Sequence, residues 1–68
     1  MGLSDLLFDA AQDLRRGIDH YGKAPFDYTQ EQLAIAEAEL LRLHAAGLMI
    51  CYGISREEAQ RRIKDGMQ

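Results

Sequence analysis

Between Thr29 and Tyr52 the chain carries two apolar seams on what its spacing reads as a single helix, and no other feature narrows the fold as much. Leu33, Ala36, Leu40, Leu43, Gly47 and Ile50 recur at alternating steps of three and four, which keeps side chains on one face of an α-helix. Ala34, Ala38, Leu41, Ala45, Leu48 and Tyr52 recur at steps of four and three, about a third of a turn round the same cylinder. Between the seams the polar residues are confined to Glu37 with His44 on one ridge and Glu39 with Arg42 on the other. A helix on the rim of a bundle shows one apolar stripe and an otherwise charged surface. Two seams therefore demand cover from two sides. The second seam is mostly alanine, and small side chains let another helix axis come close. The remainder of so short a chain is expected to cover one wall only. The other, Ala34, Ala38, Leu41, Ala45, Leu48 and Tyr52, is predicted to be the interface of a homodimer.

The length supports that expectation. Sixty-eight residues read as one domain, and a core that small supplies only about 3 to 5 kcal/mol of net stability. The single cysteine excludes an internal disulfide and no Cys/His cluster has the spacing of structural zinc, which leaves self-association as the common route to added stability. With no basic n-region ahead of an apolar segment and no long uncharged apolar run, the chain reads as soluble and cytoplasmic, without a membrane role. A net charge of −3 and a pI near 5.2 weigh against general phosphate binding, which needs clustered Lys and Arg.

The flanking segments read as two further helices, giving an all-α chain with helices over about 4–21, 30–52 and 56–65. In the first, Ser4 is the predicted N-cap and Gly22 the stop, with Asp5 and Asp9 near the start and Arg15, Arg16 and His20 near the end, as the helix dipole favours. Leu3, Leu7, Ala10, Leu14, Ile18 and Tyr21 form its apolar stripe, with Leu6 and Ala11 on the shoulders. Asp5, Asp9 and Asp13 climb the opposite face at steps of four, a solvated ladder or a docking strip for a basic partner. Phe8 projects away from the stripe, and is either a lone surface aromatic or an anchor for a partner protein. Pro25 ends the helix in a connection of a length that suits antiparallel neighbours. Thr29 with Gln32 then matches a capping box and Tyr28 with Leu33 its hydrophobic staple, while Gly53 is the predicted left-handed C-cap of the second helix. Gly47 inside that helix costs about 1 kcal/mol against alanine, so close approach of another helix is the reason expected for it. Ser55 with Glu58 repeats the capping box, Ile54 with Ala59 repeats the staple, and Gly66 marks the stop. The third helix has only Ala59, Ile63 and Met67 as apolar content and is expected to pack lightly.

Chemistry is sparse. His20, His44 and Cys51 lie outside any nucleophile elbow, phosphate loop or zinc-ligand spacing. His44 and Cys51 share a helix side, but two ligands do not make a site. No catalytic residue, metal or cofactor is predicted.

Two resemblances bear on function. Gly53, Ile54, Ser55 and the run REEAQRRI resemble the turn and recognition helix of bacterial and phage helix-turn-helix repressors, over Leu48 to Lys64. The resemblance implies DNA contact through Arg56, Arg61, Arg62 and Lys64. Met49 stands where a small residue is the rule, and Glu57 with Glu58 would put carboxylates at the helix N-terminus, where phosphates should lie. The stretch AEAELLRLHAAGLM with a short helix after it also resembles the small bacterial YqgQ-type three-helix proteins, which implies a compact three-helix unit and at most single-strand nucleic-acid binding.

The expectation is therefore an antiparallel helical hairpin with a short third helix, assembling as a homodimeric bundle. Its predicted function is that of a small non-enzymatic protein binding and modulating a larger protein partner, in the manner of phage- or mobile-element-encoded inhibitors and adaptors. Phe8, Asp5, Asp9 and Asp13 are its candidate contacts. A DNA-binding regulator using residues 54–65 is the alternative.

Overall fold

The computed structural model describes residues 2–66, which form three α-helices and no strand: α1 (Leu3–Tyr21), α2 (Gln30–Tyr52) and α3 (Arg56–Gly66). Met67, counted above toward the third helix, lies outside the described residues.

Local chemistry sets most of the boundaries. At the start of α2 the Thr29 hydroxyl accepts from the Gln32 N–H at 3.1 Å and the Gln32 side-chain oxygen accepts from the Thr29 N–H at 2.9 Å, so both halves of the capping box are made. Gly53 closes α2 at φ 65°, ψ 34°, and its N–H donates to the Met49 carbonyl. An L side chain there would be strained. α3 begins on half a box: the Ser55 hydroxyl accepts from the Glu58 N–H at 3.2 Å. The Glu58 carboxylate turns instead to Arg61 at 3.1 Å and Arg62 at 3.5 Å. The start of α1 corrects the expectation for Ser4. Gly2 is the N-cap, with its N–H donated to the Asp5 carboxylate at 2.9 Å, and Ser4 is already helical.

α1 and α2 form the hairpin, and α3 folds back on the C-terminal half of α2. The first seam of α2 meets α1: Leu33, Ala36, Leu40 and Leu43 are half-buried and Gly47 is buried, whereas Ile50 stays exposed. α1 meets it with a different face from the one its apolar count suggests. Leu7, Phe8, Leu14 and Ile18 are half-buried and Ala11 is buried, while Leu3 and Leu6 are 63% and 57% exposed, Tyr21 is 45% exposed and Ala10 is exposed. The inward face is turned by roughly 60° on a wheel of 100° per residue.

Gly47 and Phe8 explain the turn. A methyl group on Gly47 would lie 2.5 Å from Phe8 Cε1, so the glycine is the notch that receives the ring. Phe8 also meets the His44 ring edge-on, with centroids 5.8 Å apart. The close approach expected at Gly47 is that of an aromatic side chain from α1.

The second contact is compact. Ala45 and Ala59 are fully buried and Ile63 nearly so, with Leu48, Met49 and Ile54 packed against them. Facing alanines let α3 sit close on α2, and burying Ile63 contributes about 2 kcal/mol. α3 is thin in apolar residues, yet Ala59 is sealed and Ile63 keeps only a narrow exposed edge.

Candidate interaction surfaces

The second seam of α2 is divided along its length. Ala45 is 0% exposed and Leu48 half-buried, both against α3 of the same chain. Tyr52 is open but lies beneath the Arg62 guanidinium, 5.3 Å from the ring centroid. The prediction that another molecule covers the whole seam is thus corrected for Ala45 and Leu48, which α3 shelters. Ala34, Ala38 and Leu41 remain exposed, and Ile35 beside them is 61% exposed. Helix length accounts for the division. The 11 residues of α3 reach about 16 Å, against about 34 Å for the 23 of α2.

The other predicted contacts are scattered. Phe8 does not project free of the hairpin as expected: it is half-buried, with its ring seated against Gly47 and His44 of α2. Asp5, Asp9 and Asp13 are exposed, but Asp5 caps α1 and Asp13 lies 3.5 Å from Arg16. On α3, Arg61 and Arg62 both pair with Glu58, while Arg56 and Lys64 are exposed. Gly53, the turn glycine of the helix-turn-helix resemblance, is left-handed. The charge of α3 is nearly balanced, four cations against Glu57, Glu58 and Asp65.

His20 meets Tyr21 edge to face and Phe26 at a tilt, His44 meets Phe8 edge-on, and Cys51 is exposed at the far end of α2. Among the described residues no three His, Cys, Asp or Glu side chains are grouped so as to hold a metal ion, and no helix is long and apolar enough to cross a membrane.

Two surfaces escaped the sequence reading. At the hairpin turn Tyr21, Phe26 and Tyr28 gather edge to face, with Tyr21 centroids 4.8 Å from Phe26 and 5.9 Å from Tyr28. Beside them lies an apolar depression of about 300 Å³ lined by Leu14, Tyr21, Tyr28 and Leu33. Their clustering on either side of Pro25 was the available signal. The second surface is a groove over the middle of α2, between α1 and α3. It encloses about 350 Å³ beside Ile18, Leu40, Leu41 and Ile63, and a further 290 Å³ toward Leu48 and Arg62, the two parts sharing Arg15, His44 and Ile63.

No protein-family model, curated protein or solved structure matches this chain, so neither resemblance gains support from a relative.

Proposed function

We propose that this chain is a non-enzymatic helical interaction protein that pairs with a second copy through the N-terminal half of α2 and binds a larger protein partner. The observation that carries the reading is an unfinished core. Among the described residues Ala11, Ala45, Ala59 and Ile63 are the buried apolar side chains and none of the larger ones is fully enclosed, while Leu3, Leu6, Ile35 and Ile50 are more than half exposed. Apolar surface of this extent on so small a fold is what interfaces are made from.

The bare strip Ala34, Ile35 and Ala38 lies beyond the reach of α3, and small residues in it allow two helix axes to approach. A two-fold antiparallel pairing that sets Ala34 of one copy against Ala38 of the other brings Glu31 of each near Arg42 of the other, an isologous match. α3 of each copy then falls beyond the strip.

Sedimentation equilibrium at micromolar concentration tests the pairing. The natural chain is expected to sediment as a dimer and Ala38→Glu, which buries a carboxylate at the pairing axis, as a monomer with unchanged helix content. A natural chain that sediments as a well-folded monomer refutes the pairing. The DNA-binding reading has the Gly53 turn in its favour and the Glu58 pairing of Arg61 and Arg62 against it. A salt-dependent mobility shift on mixed DNA, abolished by Arg61→Glu with Arg62→Glu, would restore it.

A further inference from the structure

We infer that the groove between α1 and α3 is the seat for an amphipathic helix of another protein, one whose apolar stripe carries an acid at one end and a base at the other. The inference rests on the reading of this chain as an interaction protein and specifies the partner's chemistry. α1 and α3 each pack on α2 and not on each other. Between them α2 presents Glu37, Leu41, His44 and Leu48, one ridge at steps of four and three flanked by a wall on either side. That ridge runs about 16 Å, three helical turns.

Shape selects a helix. A second copy would bring the same trough to the trough, hollow against hollow, and leave both unfilled. A single helix, about 10 Å across, is the convex body that fits a channel between two helices. Its side chains at i, i+3 or i+4, and i+7 would meet Ile18, Leu40, Leu41 and Ile63, the pattern of helix-in-groove recognition.

Charge selects which helix. Arg62 lines the end of the groove toward Leu48, where the lining holds no carboxylate, and Arg15 stands midway, lining both parts. Asp19 and Glu37 line the other end. Arg15, Asp19 and Glu37 make no ion pair among the described residues, and Arg62 shares Glu58 with Arg61. A helix with an acid and a base about three turns apart meets opposite charge at both ends. A helix with ends of one sign meets like charge at one of them, which is how charge fixes partner choice at an interface.

The test uses three fluorescein-labelled designed helical peptides sharing one leucine stripe, with glutamate at one end and lysine at the other, glutamate at both ends, or lysine at both ends. Fluorescence anisotropy against the full chain at low ionic strength is expected to show the mixed peptide binding at least tenfold more tightly than either other. In the variant Asp19→Arg with Glu37→Arg, its helix content checked by circular dichroism, the double-glutamate peptide should become the tightest. Ala38→Glu, on a different side of α2, should leave peptide affinity within twofold whatever it does to self-association, so failure of the pairing and failure of the groove are separately visible. Absence of binding by all three peptides, equal affinity for all three, or a preference unmoved by the charge reversal overturns the inference.

Discussion

Gly47→Ala should destabilise this protein although alanine is the better helix former, and the sign should invert when Phe8 is removed. Replacing glycine inside α2 gains about 1 kcal/mol in helix propensity. The added methyl, however, would lie 2.5, 2.7 and 3.1 Å from Phe8 Cε1, Cδ1 and Cζ, and the first two distances are too short to be tolerated. The ring sits edge-on to His44, and it must tilt out of its notch to make room for the methyl. Overpacking of this kind costs about 1 to 3 kcal/mol. The expected net loss is about 1 kcal/mol, or a fall in Tm of about 4 to 8 °C for a domain of this size. Phe8→Ala alone should cost about 2 kcal/mol, below the range for a fully buried phenylalanine because this one is half-buried. In the Phe8→Ala background nothing opposes the propensity gain, and Gly47→Ala should stabilise by about 1 kcal/mol. The cycle thus predicts a coupling near 2 kcal/mol, well outside the additivity error of distant sites. Urea unfolding followed by circular dichroism measures it, with every variant at one protein concentration so that self-association does not shift the midpoints. Equal effects of Gly47→Ala in both backgrounds would refute the notch.

Three further outcomes follow from the caps and the α3 contact. Gly53→Ala meets no neighbouring atom, so its cost of about 1 to 2 kcal/mol should be backbone strain alone and should shrink in Gly53→Asn, compared by urea midpoints. Thr29→Ala, which breaks the hydroxyl half of a complete box, should cost about 1 kcal/mol, and Ser55→Ala less, because Glu58 does not return a bond. Ile63→Ala should lower hydrogen-exchange protection of α3 amides while those of the α1/α2 hairpin keep theirs; a uniform loss would mean that α3 does not open independently.

What the sequence disclosed was whatever is settled within a few residues. Three helices, the reciprocal Thr29/Gln32 cap and the left-handed Gly53 all follow from side chains adjacent in the chain. Ser4 is the better capping residue by type, but the Asp5 carboxylate reaches back to the Gly2 N–H and starts α1 earlier. The inward face of α1 departs from its apolar count for a different reason. Counting apolar residues favours Leu3, Ala10 and Tyr21, but which face turns inward is decided by what the opposing helix has room for, and Gly47 has room for Phe8. Both residues were conspicuous separately. Their contact belongs to tertiary structure, which periodicity does not report.

The same limit governs the surfaces. A second seam on α2 announces that a face needs cover without saying what supplies it, and the length of α3 supplies cover to Ala45 and Leu48 and withholds it from Ala34 and Ala38. The groove is a consequence of where the two walls stand. α1 packs along Leu40, Leu43 and Gly47 and α3 against Ala45, on nearly opposite sides of one cylinder, so the ridge from Glu37 to Leu48 between them is only edged by each, by α1 through Phe8 at His44 and by α3 at Leu48. Filling it from within would take a fourth helix. The described chain instead leaves Leu41 exposed there, between unpaired Arg15 and Glu37, which is the physical ground for looking to another protein to complete the bundle.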